Sequence, residues 1–158
     1  MTPAIKLLDR QKIAYQLLEY VGDSEAGGYG EAAASALGQD PHRVFKTLLA
    51  VVDDKERQPV VAIVAVAHQL DLKKLAQAHG GRKATMATTT LAERTTGYVV
   101  GGISPLGQRR QLPTLLDRSA LQFETIHISG GKRGLEIEIN PHDLVQLTRA
   151  KLEDIART

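Results

Sequence analysis

The stretch RVFKTLLAVVDDKERQPVVAIVAVA, residues 43–67, holds two apolar runs on either side of a charged segment. The runs VFKTLLAVV (44–52) and PVVAIVAVA (59–67) are short and rich in β-branched residues, which is typical of β-strands. We therefore expect two adjacent strands here.

Helices are expected on both sides of this strand pair. Thr2 and Pro3 form a cap and first turn for one helix, and Gly38 stops a second, short helix. Asp40 and Pro41 form a further helix-start signal. The remaining predicted helices cover DLKKLAQAHGG (71–81), TLAERT (90–95) and NPHDLVQLTRA (140–150).

Further strands alternate with these helices, and a glycine-rich loop, GDSEAGGYG (22–30), follows the first of them. The predicted strands are IAYQLLEY (13–20), YVVGGI (98–103), TLLD (114–117), ETIHIS (124–129) and LEIEIN (135–140). The connections are too uneven for a regular doubly wound order. The pattern therefore predicts an α/β fold in one domain, residues 1–158, with a mixed sheet.

The composition is that of a globular protein, because hydrophobic residues make up 42% and charged residues 24% of the 158 residues. The longest apolar run, VVAIVAVA (60–67), is less than half of what a helix needs to cross a bilayer. The N-terminus has no apolar signal core, and the absence of cysteine excludes disulfides, thiolate metal sites and a cysteine nucleophile. We expect a cytoplasmic protein with no membrane partner.

Several familiar catalytic motifs are missing from the sequence: there is no GxGxxG after a strand, no Walker sequence, no HExxH and no GxSxG. The five histidines lack ligand spacing, so we expect no metal and no cofactor, and His127 is interpreted as a packing or surface residue. Glu136 and Glu138 lie on the same face of a predicted strand, which is more typical of a solvated face than of an acid/base pair.

Lys46 lies in a strand otherwise made of apolar and β-branched residues. Its ammonium must reach solvent, pair with an anion or face a cleft, because an unpaired buried charge is costly. Two interpretations stay open at this point. Lys46 is either a functional residue in a cleft or an edge-strand lysine that discourages aggregation.

The segment GYVVGGISPLGQRRQLPT (97–114) carries glycines and a proline where its apolar run ends. Gly101 and Gly102 allow backbone geometry closed to other residues and let a ligand reach peptide N–H groups, while Pro105 stiffens the turn. A lysine charge together with exposed amides can hold an ester carbonyl or a phosphate. This combination favours the functional interpretation of Lys46.

The net charge is only +2, from 20 Lys and Arg against 18 Asp and Glu, but three basic pairs lie beside glycines. They are HGGRK (79–83), GQRRQ (107–111) and GGKRG (130–134). A single pair in a loop is usually solvated surface, whereas three of the same composition favour contact with phosphate. The candidate phosphate contacts are Arg109, Arg110, Lys132 and Arg133.

Five segments of the chain resemble the bacterial Cys-tRNA(Pro) deacylases, freestanding relatives of the editing domain inserted in bacterial prolyl-tRNA synthetases. The segments are TPAIKLLDRQKI (2–13), VFKTLLAVV (44–52), QLDLKKLA (69–76), TGYVVGGISPLGQRRQLPT (96–114) and ISGGKRGLEIEI (128–139). The resemblance implies a single α/β domain whose strongly curved mixed sheet is surrounded by helices. It also implies trans-editing, the hydrolysis of cysteine wrongly joined to the proline tRNA.

The resemblance further implies roles for individual residues. Lys46 matches the essential lysine of the family, and Gly101 begins a Gly-x-x-x-Pro loop whose backbone lies against the aminoacyl group, so these two are the catalytic candidates. The substrate-binding candidates are Tyr20, Tyr29, Gly102, Pro105, Ser129 and Glu136. Tyr29 stands where relatives often carry Phe, and Glu136 where they often carry Asp, and either difference can alter pocket depth.

The mechanism that the resemblance implies is attack by the substrate thiol on its own carbonyl, so that the protein supplies positioning and oxyanion stabilisation. Lys46 then holds the acceptor-end ribose or phosphate, and N–H groups around Gly101 orient the carbonyl. The expected partners are mischarged tRNA(Pro), which the four candidate cations contact, and prolyl-tRNA synthetase. Two alternatives stay open: deacylation of Ala- or Ser-tRNA by a positioned water, and a non-catalytic module that binds aminoacyl-tRNA or the synthetase.

Overall fold

A computed structural model describes residues 1–21 and 29–158, so most of the predicted loop 22–30 lies outside the described residues. Helices and strands alternate along the chain, as predicted. The α-helices of the described part are α1 (Pro3–Gln11), α2 (Tyr29–Leu37), α3 (Leu72–Ala78), α4 (Thr89–Thr96) and α5 (Pro141–Thr148), and Arg118–Gln122 forms a 3-10 helix. None of these helices is long and apolar enough to cross a membrane.

The strands of the described residues form three sheets. They are β1 (Gln16–Glu19), β2 (Phe45–Val52), β3 (Val60–Ala65), β4 (Gln69–Leu70), β5 (Ala84–Met86), β6 (Thr114–Asp117), β7 (Ile126–Ser129), β8 (Leu135–Ile139), β9 (Lys151–Glu153) and β10 (Ala156–Arg157). The largest sheet has the order β5-β2-β3-β6-β9, in which β2 is antiparallel to both neighbours while β6 is parallel to both of its own. The order β1-β8-β7 makes an antiparallel sheet, and β4 pairs with β10. The predicted α/β fold with a mixed sheet is confirmed.

The strand pair β2–β3 runs through the middle of the core. Phe45 and Leu49 pack on one side, in a cluster that includes residues of α1, β7 and β8. Ala50 and Val52 pack on the other side with Leu75 of α3. Every residue of β3 is buried, because both faces of this strand are covered, and this explains its unbroken apolar sequence.

Two helices begin at the capping residues that the sequence indicates. Thr2 accepts a hydrogen bond from the N–H of Ile5 at 3.3 Å, and Pro3 occupies the first turn of α1. Asn140 caps α5 by accepting from the N–H of His142 at 2.8 Å. Helix α4 ends at Thr96 and is capped by Gly97, whose φ of 82° is left-handed. The predicted starts of α1 and α5 are therefore confirmed.

Two predicted elements are wrong. The segment 98–103 is not a strand: the Tyr98 hydroxyl donates to the Leu106 carbonyl at 2.7 Å, and the Gly102 N–H donates to the Val99 carbonyl at 2.8 Å. Its apolar residues anchor a folded loop. Asp40 and Pro41 begin a turn that leads into β2, because the Asp40 carboxylate accepts from a backbone N–H two residues later.

The strand β7 joins the two larger sheets through one bridge. Val44, just before β2, pairs with His127 of β7 in parallel, and the His127 N–H donates to the Arg43 carbonyl at 3.0 Å. The contact ends there, so β7 leaves the edge of β2 that continues toward β5. A gap opens along this edge, and the candidate site occupies it.

Candidate active site

A cavity of about 340 Å³ lies beside β2, bordered by α2, β7, β8 and the loop that follows α4. Five of the residues singled out from the sequence line it together, although they come from distant parts of the chain. They are Tyr29, Lys46, Gly101, Ser129 and Glu136.

One edge of β2 has no strand partner along this cavity within the described chain. Strand β3 pairs with β2 over residues 45–50, whereas on the other edge β5 pairs only with residues 50–52. The Leu49 carbonyl points to that other edge, because it accepts from the N–H of Ala87 at 3.0 Å. Backbone direction alternates along a strand, so the Thr47 N–H and carbonyl point the same way. Main-chain donors and acceptors therefore border the cavity.

Lys46 lies half-buried beneath α2. Helix α2 packs this closely over Lys46 because residue 30 is glycine. A Cβ at position 30 would stand only 2.5 Å from Val66 Cγ1, and 3.7 Å from the Lys46 Cβ. Burial lowers the pKa of the Lys46 ammonium, and the negative charge of Glu31, another cavity residue, acts in the opposite direction. The side chain thus faces a cleft, as its functional interpretation requires.

Gly101 also borders the cavity, in a conformation that favours glycine. Its φ is 93°, and a Cβ at this position would stand 2.6 Å from Cδ2 of the Tyr29 ring. The preceding residue, Val100, is held from α4, since its N–H donates to the Glu93 carboxylate at 2.8 Å. The loop is therefore packed and anchored at the point where it meets the cavity.

Arg133 ties the turn between β7 and β8 to this loop. Its Nε and Nη2 atoms donate to the Val100 carbonyl at 3.0 and 2.8 Å, and its Cζ lies 4.4 Å from the centroid of the Tyr29 ring. The next residue of the loop, Gly102, meets the same turn, because a Cβ there would stand 2.6 Å from the Lys132 Cα. Gly102 thus permits backbone packing here, and it does not line the cavity.

Glu136 is buried with 6% of its surface exposed, so the expected solvated face is wrong for this residue. It lies on the middle strand of the β1-β8-β7 sheet, opposite Ser129 and Leu18, while Glu138 further along pairs with Arg43 at 2.7 Å. Burial raises the pKa of the Glu136 carboxyl to about 8.

Two polar atoms near the cavity have no hydrogen-bond partner in the described part of the chain. They are Oε2 of Glu136 and Oγ1 of Thr47, both on residues that line the cavity. Buried polar atoms are normally hydrogen-bonded, so unpaired ones that line a cavity are candidates for contact with a ligand. These two atoms therefore add polar groups to a lining that is otherwise largely apolar.

Two other predicted substrate contacts lie outside the cavity lining. Tyr20 is adjacent to it: its N–H donates to the Gly134 carbonyl at 2.9 Å, and burial, with a smaller contribution from the charge of Glu136, raises the pKa of its phenol. Pro105 borders a second cavity of about 260 Å³, together with Arg110.

The remaining predicted cations lie on the surface. The Arg109 backbone N–H donates to the Thr96 carbonyl at 2.9 Å, which places this residue beside the start of the loop. Arg110 donates from Nη2 to the Arg57 carbonyl at 2.9 Å, and Lys132 is exposed in the turn before β8. Three of the four cations therefore surround the loop 97–102, while Arg110 lies at the second cavity.

Sequence reasoning missed Glu31, Thr47 and Glu93. Thr47 follows Lys46 directly, and a polar residue beside the one charge in an apolar strand was a usable signal. Glu31 and Glu93 resemble ordinary helix surface residues, and only the fold shows that they reach the cavity and its loop. His127 is 1% exposed and packs inside the protein, one of the two outcomes expected for it.

The site combines an ammonium group, main-chain donors and a buried carboxyl. In the residues that the structure describes, neither Ser129 nor Thr47 is hydrogen-bonded to a histidine, as an activated nucleophile would be. The same residues contain no group of three or more His, Asp or Glu placed to hold a metal ion. Such an arrangement can position an ester and polarise its carbonyl.

Comparison with known proteins identifies the family. The sequence model of the aminoacyl-tRNA editing domain family matches residues 25–147 of this chain. EbsC of Enterococcus faecalis, assigned as a Cys-tRNA(Pro)/Cys-tRNA(Cys) deacylase, is 39% identical over 98% of this chain and 92% of its own length. ProXp-y of Escherichia coli K12, a multifunctional Ser/Thr-tRNA deacylase, is 24% identical over 98% of this chain and 91% of its own.

Solved structures show the same fold. A protein assigned as a trans-editing enzyme for prolyl-tRNA synthetase superposes with a TM-score of 0.82 and 23% identity, covering 100% of this chain and 99% of its own. The hypothetical protein APE2540 has a TM-score of 0.85 and 20% identity, covering 98% and 99%. The family match and the identity to EbsC show that this chain belongs to the aminoacyl-tRNA editing domain family and is an aminoacyl-tRNA deacylase.

Proposed function

We propose that the enzyme removes cysteine from mischarged Cys-tRNA(Pro), using the thiol of the substrate as the nucleophile. The observation that carries this proposal is the cavity itself, which Lys46 and Gly101 both line without an activated protein nucleophile among the described residues. The 39% identity to EbsC supports cysteine as the cargo.

The proposed reaction begins with attack by the cysteinyl sulfur on the ester carbonyl. A carbon–sulfur bond forms, the carbon–oxygen bond to the terminal ribose breaks, and the departing ribose oxygen takes up the proton that the thiol has lost. The resulting thiolactone reacts with water to give free cysteine. An aminoacyl ester is already activated, so positioning and charge stabilisation suffice for this chemistry.

In this proposal Lys46 and Gly101 act on different parts of the substrate. The Lys46 ammonium binds the ribose or phosphate of the acceptor end, because it is a half-buried cation on a residue that lines the cavity. The Gly101 N–H binds the ester carbonyl and stabilises the negative charge that develops on it. Tyr29, Ser129 and Glu136 bound the aminoacyl pocket.

Selection against other amino acids rests on reactivity more than on size. One methylene in an apolar pocket discriminates by only ~1 to 3 kcal/mol, which is too little for reliable editing. A thiol is ionised far more readily than a hydroxyl, so cysteine supplies a nucleophile that alanine and proline lack. Amino acids that fit the cavity but lack a thiol are therefore not removed from the tRNA.

A second candidate function is deacylation of Ser-tRNA or Ala-tRNA by a positioned water. The unpaired Oε2 of Glu136 and Oγ1 of Thr47 favour it, because each is a buried polar atom on a cavity residue and can hydrogen-bond to a water molecule. ProXp-y, a 24% identical relative, is named a Ser/Thr-tRNA deacylase.

The partners in this proposal are mischarged tRNA(Pro) and prolyl-tRNA synthetase. Arg109, Lys132 and Arg133 surround the loop that borders the cavity. The phosphates of a tRNA end that enters there therefore come close to positive charges. Arg110, near the second cavity, is a more remote contact.

The test is a panel of matched Cys-, Ser-, Ala- and Pro-tRNA samples on the same tRNA(Pro), incubated with the enzyme and assayed for release of uncharged tRNA. The expected order has Cys-tRNA(Pro) cleaved fastest and Pro-tRNA(Pro) left intact. Faster cleavage of the seryl or alanyl ester would contradict thiol-assisted chemistry and support the water mechanism.

A further inference from the structure

The guanidinium of Arg133 is committed to one backbone atom of the cavity loop. Both Nε and Nη2 donate to the Val100 carbonyl, at 3.0 and 2.8 Å, while the ring of Tyr29 lies under the guanidinium carbon at 4.4 Å. A forked, stacked contact of this kind uses the planar shape of arginine as well as its charge. A cation that only neutralises phosphate needs no such geometry.

The contact of Arg133 with the Val100 carbonyl also fixes the direction of the Gly101 N–H. The Val100 carbonyl and the Gly101 N–H belong to the same peptide unit, which is trans and planar, so the two groups point in opposite directions. Anchoring the oxygen to Arg133 therefore directs the Gly101 N–H away from the guanidinium. No acceptor for this N–H is found among residues 1–21 and 29–158.

This peptide unit needs an external anchor. Glycine adopts positive and negative φ with similar ease, so the 93° of Gly101 does not by itself prevent the peptide from rotating. The neighbouring peptide units are held separately: the Val100 N–H donates to Glu93, and the Gly102 N–H donates to Val99. Arg133 supplies the anchor for the unit between them.

We propose that Arg133 is a positioning residue, which holds the Val100–Gly101 peptide in the orientation that presents the Gly101 N–H to the ester carbonyl. This inference rests on the proposed role of Gly101 in deacylation. It assigns Arg133 a function in the rate of the chemical step, different from the contact with tRNA phosphate expected from sequence. Arg133 itself does not touch the reacting atoms.

The variants Arg133→Lys and Arg133→Gln separate this role from simple charge. Lysine keeps the positive charge but cannot make the forked contact, so both variants should lower the single-turnover rate constant at saturating enzyme by at least about tenfold, since loss of one oxyanion donor costs a hundredfold or more. The affinity for aminoacyl-tRNA should stay within about twofold for the lysine variant, because its charge is unchanged.

Lys132→Ala removes an exposed cation from the same turn, and it should weaken tRNA binding and lower the salt dependence of binding by about one phosphate contact. The matched control is Lys55→Ala, which removes an exposed lysine from the turn between β2 and β3 and should leave the rate constant at saturation unchanged. Added guanidinium ion should restore part of the rate of Arg133→Ala and none of any loss in Lys132→Ala. A lysine variant at 133 that keeps the full rate constant would overturn the proposal.

A structural readout tests the peptide anchor independently of activity. Backbone NMR of the full chain should show displaced resonances for the Val100 carbonyl carbon and the Gly101 amide in Arg133→Lys, and unchanged ones in Lys55→Ala. If the wild type cleaves no aminoacyl-tRNA in the panel, the proposed function fails while these spectra still decide the anchor. Unchanged Val100 and Gly101 resonances in a folded Arg133→Lys protein would refute it.

Discussion

The ring of Tyr29 lies against Gly101 so closely that a Cβ at position 101 would stand 2.6 Å from the ring carbon Cδ2. The contact brings the start of α2 against the loop that follows α4, and both line the cavity. Cavity shape therefore depends on a position where only glycine fits, and a single methyl group is enough to disturb it.

Gly101→Ala should lower both stability and deacylation. A side chain at φ 93° is strained by roughly 1 to 2 kcal/mol, and the clash with Tyr29 forces the loop or α2 to move. The control is Gly80→Ala, because Gly80 has a φ of 85° and no atom within 4 Å of its Cβ position. Chemical denaturation should show a loss of stability in both variants. Single-turnover deacylation should fall in Gly101→Ala and stay unchanged in Gly80→Ala. Equal activity of the two variants would contradict this role of Gly101.

Lys46→Ala should remove most deacylation and leave the fold intact. If the ammonium stabilises the transition state as one oxyanion donor does, the loss is about 3 kcal/mol, or roughly a hundredfold in rate. Lys55→Ala is the control, since this lysine is exposed in the turn between β2 and β3. Single-turnover rates on Cys-tRNA(Pro) decide the matter, and near-normal turnover by a folded Lys46→Ala protein would exclude the assignment.

Glu136→Gln should become increasingly more stable than the wild type as pH rises from 5 to 8. The carboxyl has a pKa of about 8 in the folded protein against 4.5 when unfolded, so the folded state binds the proton more tightly in this range. Wild-type stability therefore falls as pH rises toward 8, by at most about 1.4 kcal/mol per pH unit, and glutamine removes this term. Denaturant unfolding at each pH measures the difference.

The pKa of Glu138, on the same strand, is shifted in the opposite direction to that of Glu136. A hydrogen bond from Thr125, with a smaller contribution from the charge of Arg43, lowers the pKa of Glu138, so its stabilising effect is present above the unfolded pKa and is lost as the medium becomes acidic. The difference between Glu138→Gln and the wild type should therefore stay constant from pH 5 to 8. A constant difference for Glu136→Gln as well would show that its carboxyl is not held neutral.

The proposed thiol mechanism predicts a specific pH dependence. Only the thiolate is strongly nucleophilic, and an unperturbed thiol has a pKa of about 8.5, so the single-turnover rate should rise roughly tenfold per pH unit from pH 6 toward that value. Seryl-tRNA(Pro) is the matched substrate, and its spontaneous hydrolysis is subtracted at each pH. Equal enzymatic rates on the two esters would argue for an enzyme-held water.

Much of the fold follows from local sequence because its signals are local. The caps at Thr2 and Asn140 and the apolar runs of β2 and β3 each lie within a few residues, and the structure agrees with them. The loop 98–103 was mistaken for a strand because its apolar side chains are anchors, and their partners, such as Leu106 for Tyr98, lie on the far side of a turn.

The site was only partly predictable because its geometry is set by distant pairings. Whether Glu136 faces water depends on β1 pairing with β8, more than a hundred residues away along the chain. The link from Arg133 to Val100 likewise spans 33 residues. Resemblance to a family pointed to Lys46 and Gly101, but the role of the cations had to come from their contacts.

The enzyme should depend on prolyl-tRNA synthetase to find its substrate. A net charge of +2 and a few surface pairs can neutralise only a few phosphates, so intrinsic tRNA affinity should be weak and sensitive to salt. The acceptor end also looks similar on many tRNAs. The enzyme alone should therefore distinguish poorly between Cys-tRNA(Pro) and the correct Cys-tRNA(Cys).

We expect recruitment to the synthetase that makes the error to supply this distinction through effective concentration, without new base contacts. The measurement compares deacylation of Cys-tRNA(Pro) and Cys-tRNA(Cys) at fixed salt, with and without prolyl-tRNA synthetase, and uses an unrelated synthetase as the control. Preference for the proline tRNA should be small for the enzyme alone and should grow when prolyl-tRNA synthetase is added. A strong preference that is already present without the synthetase, and does not increase with it, would place the discrimination in contacts between this chain and the tRNA body.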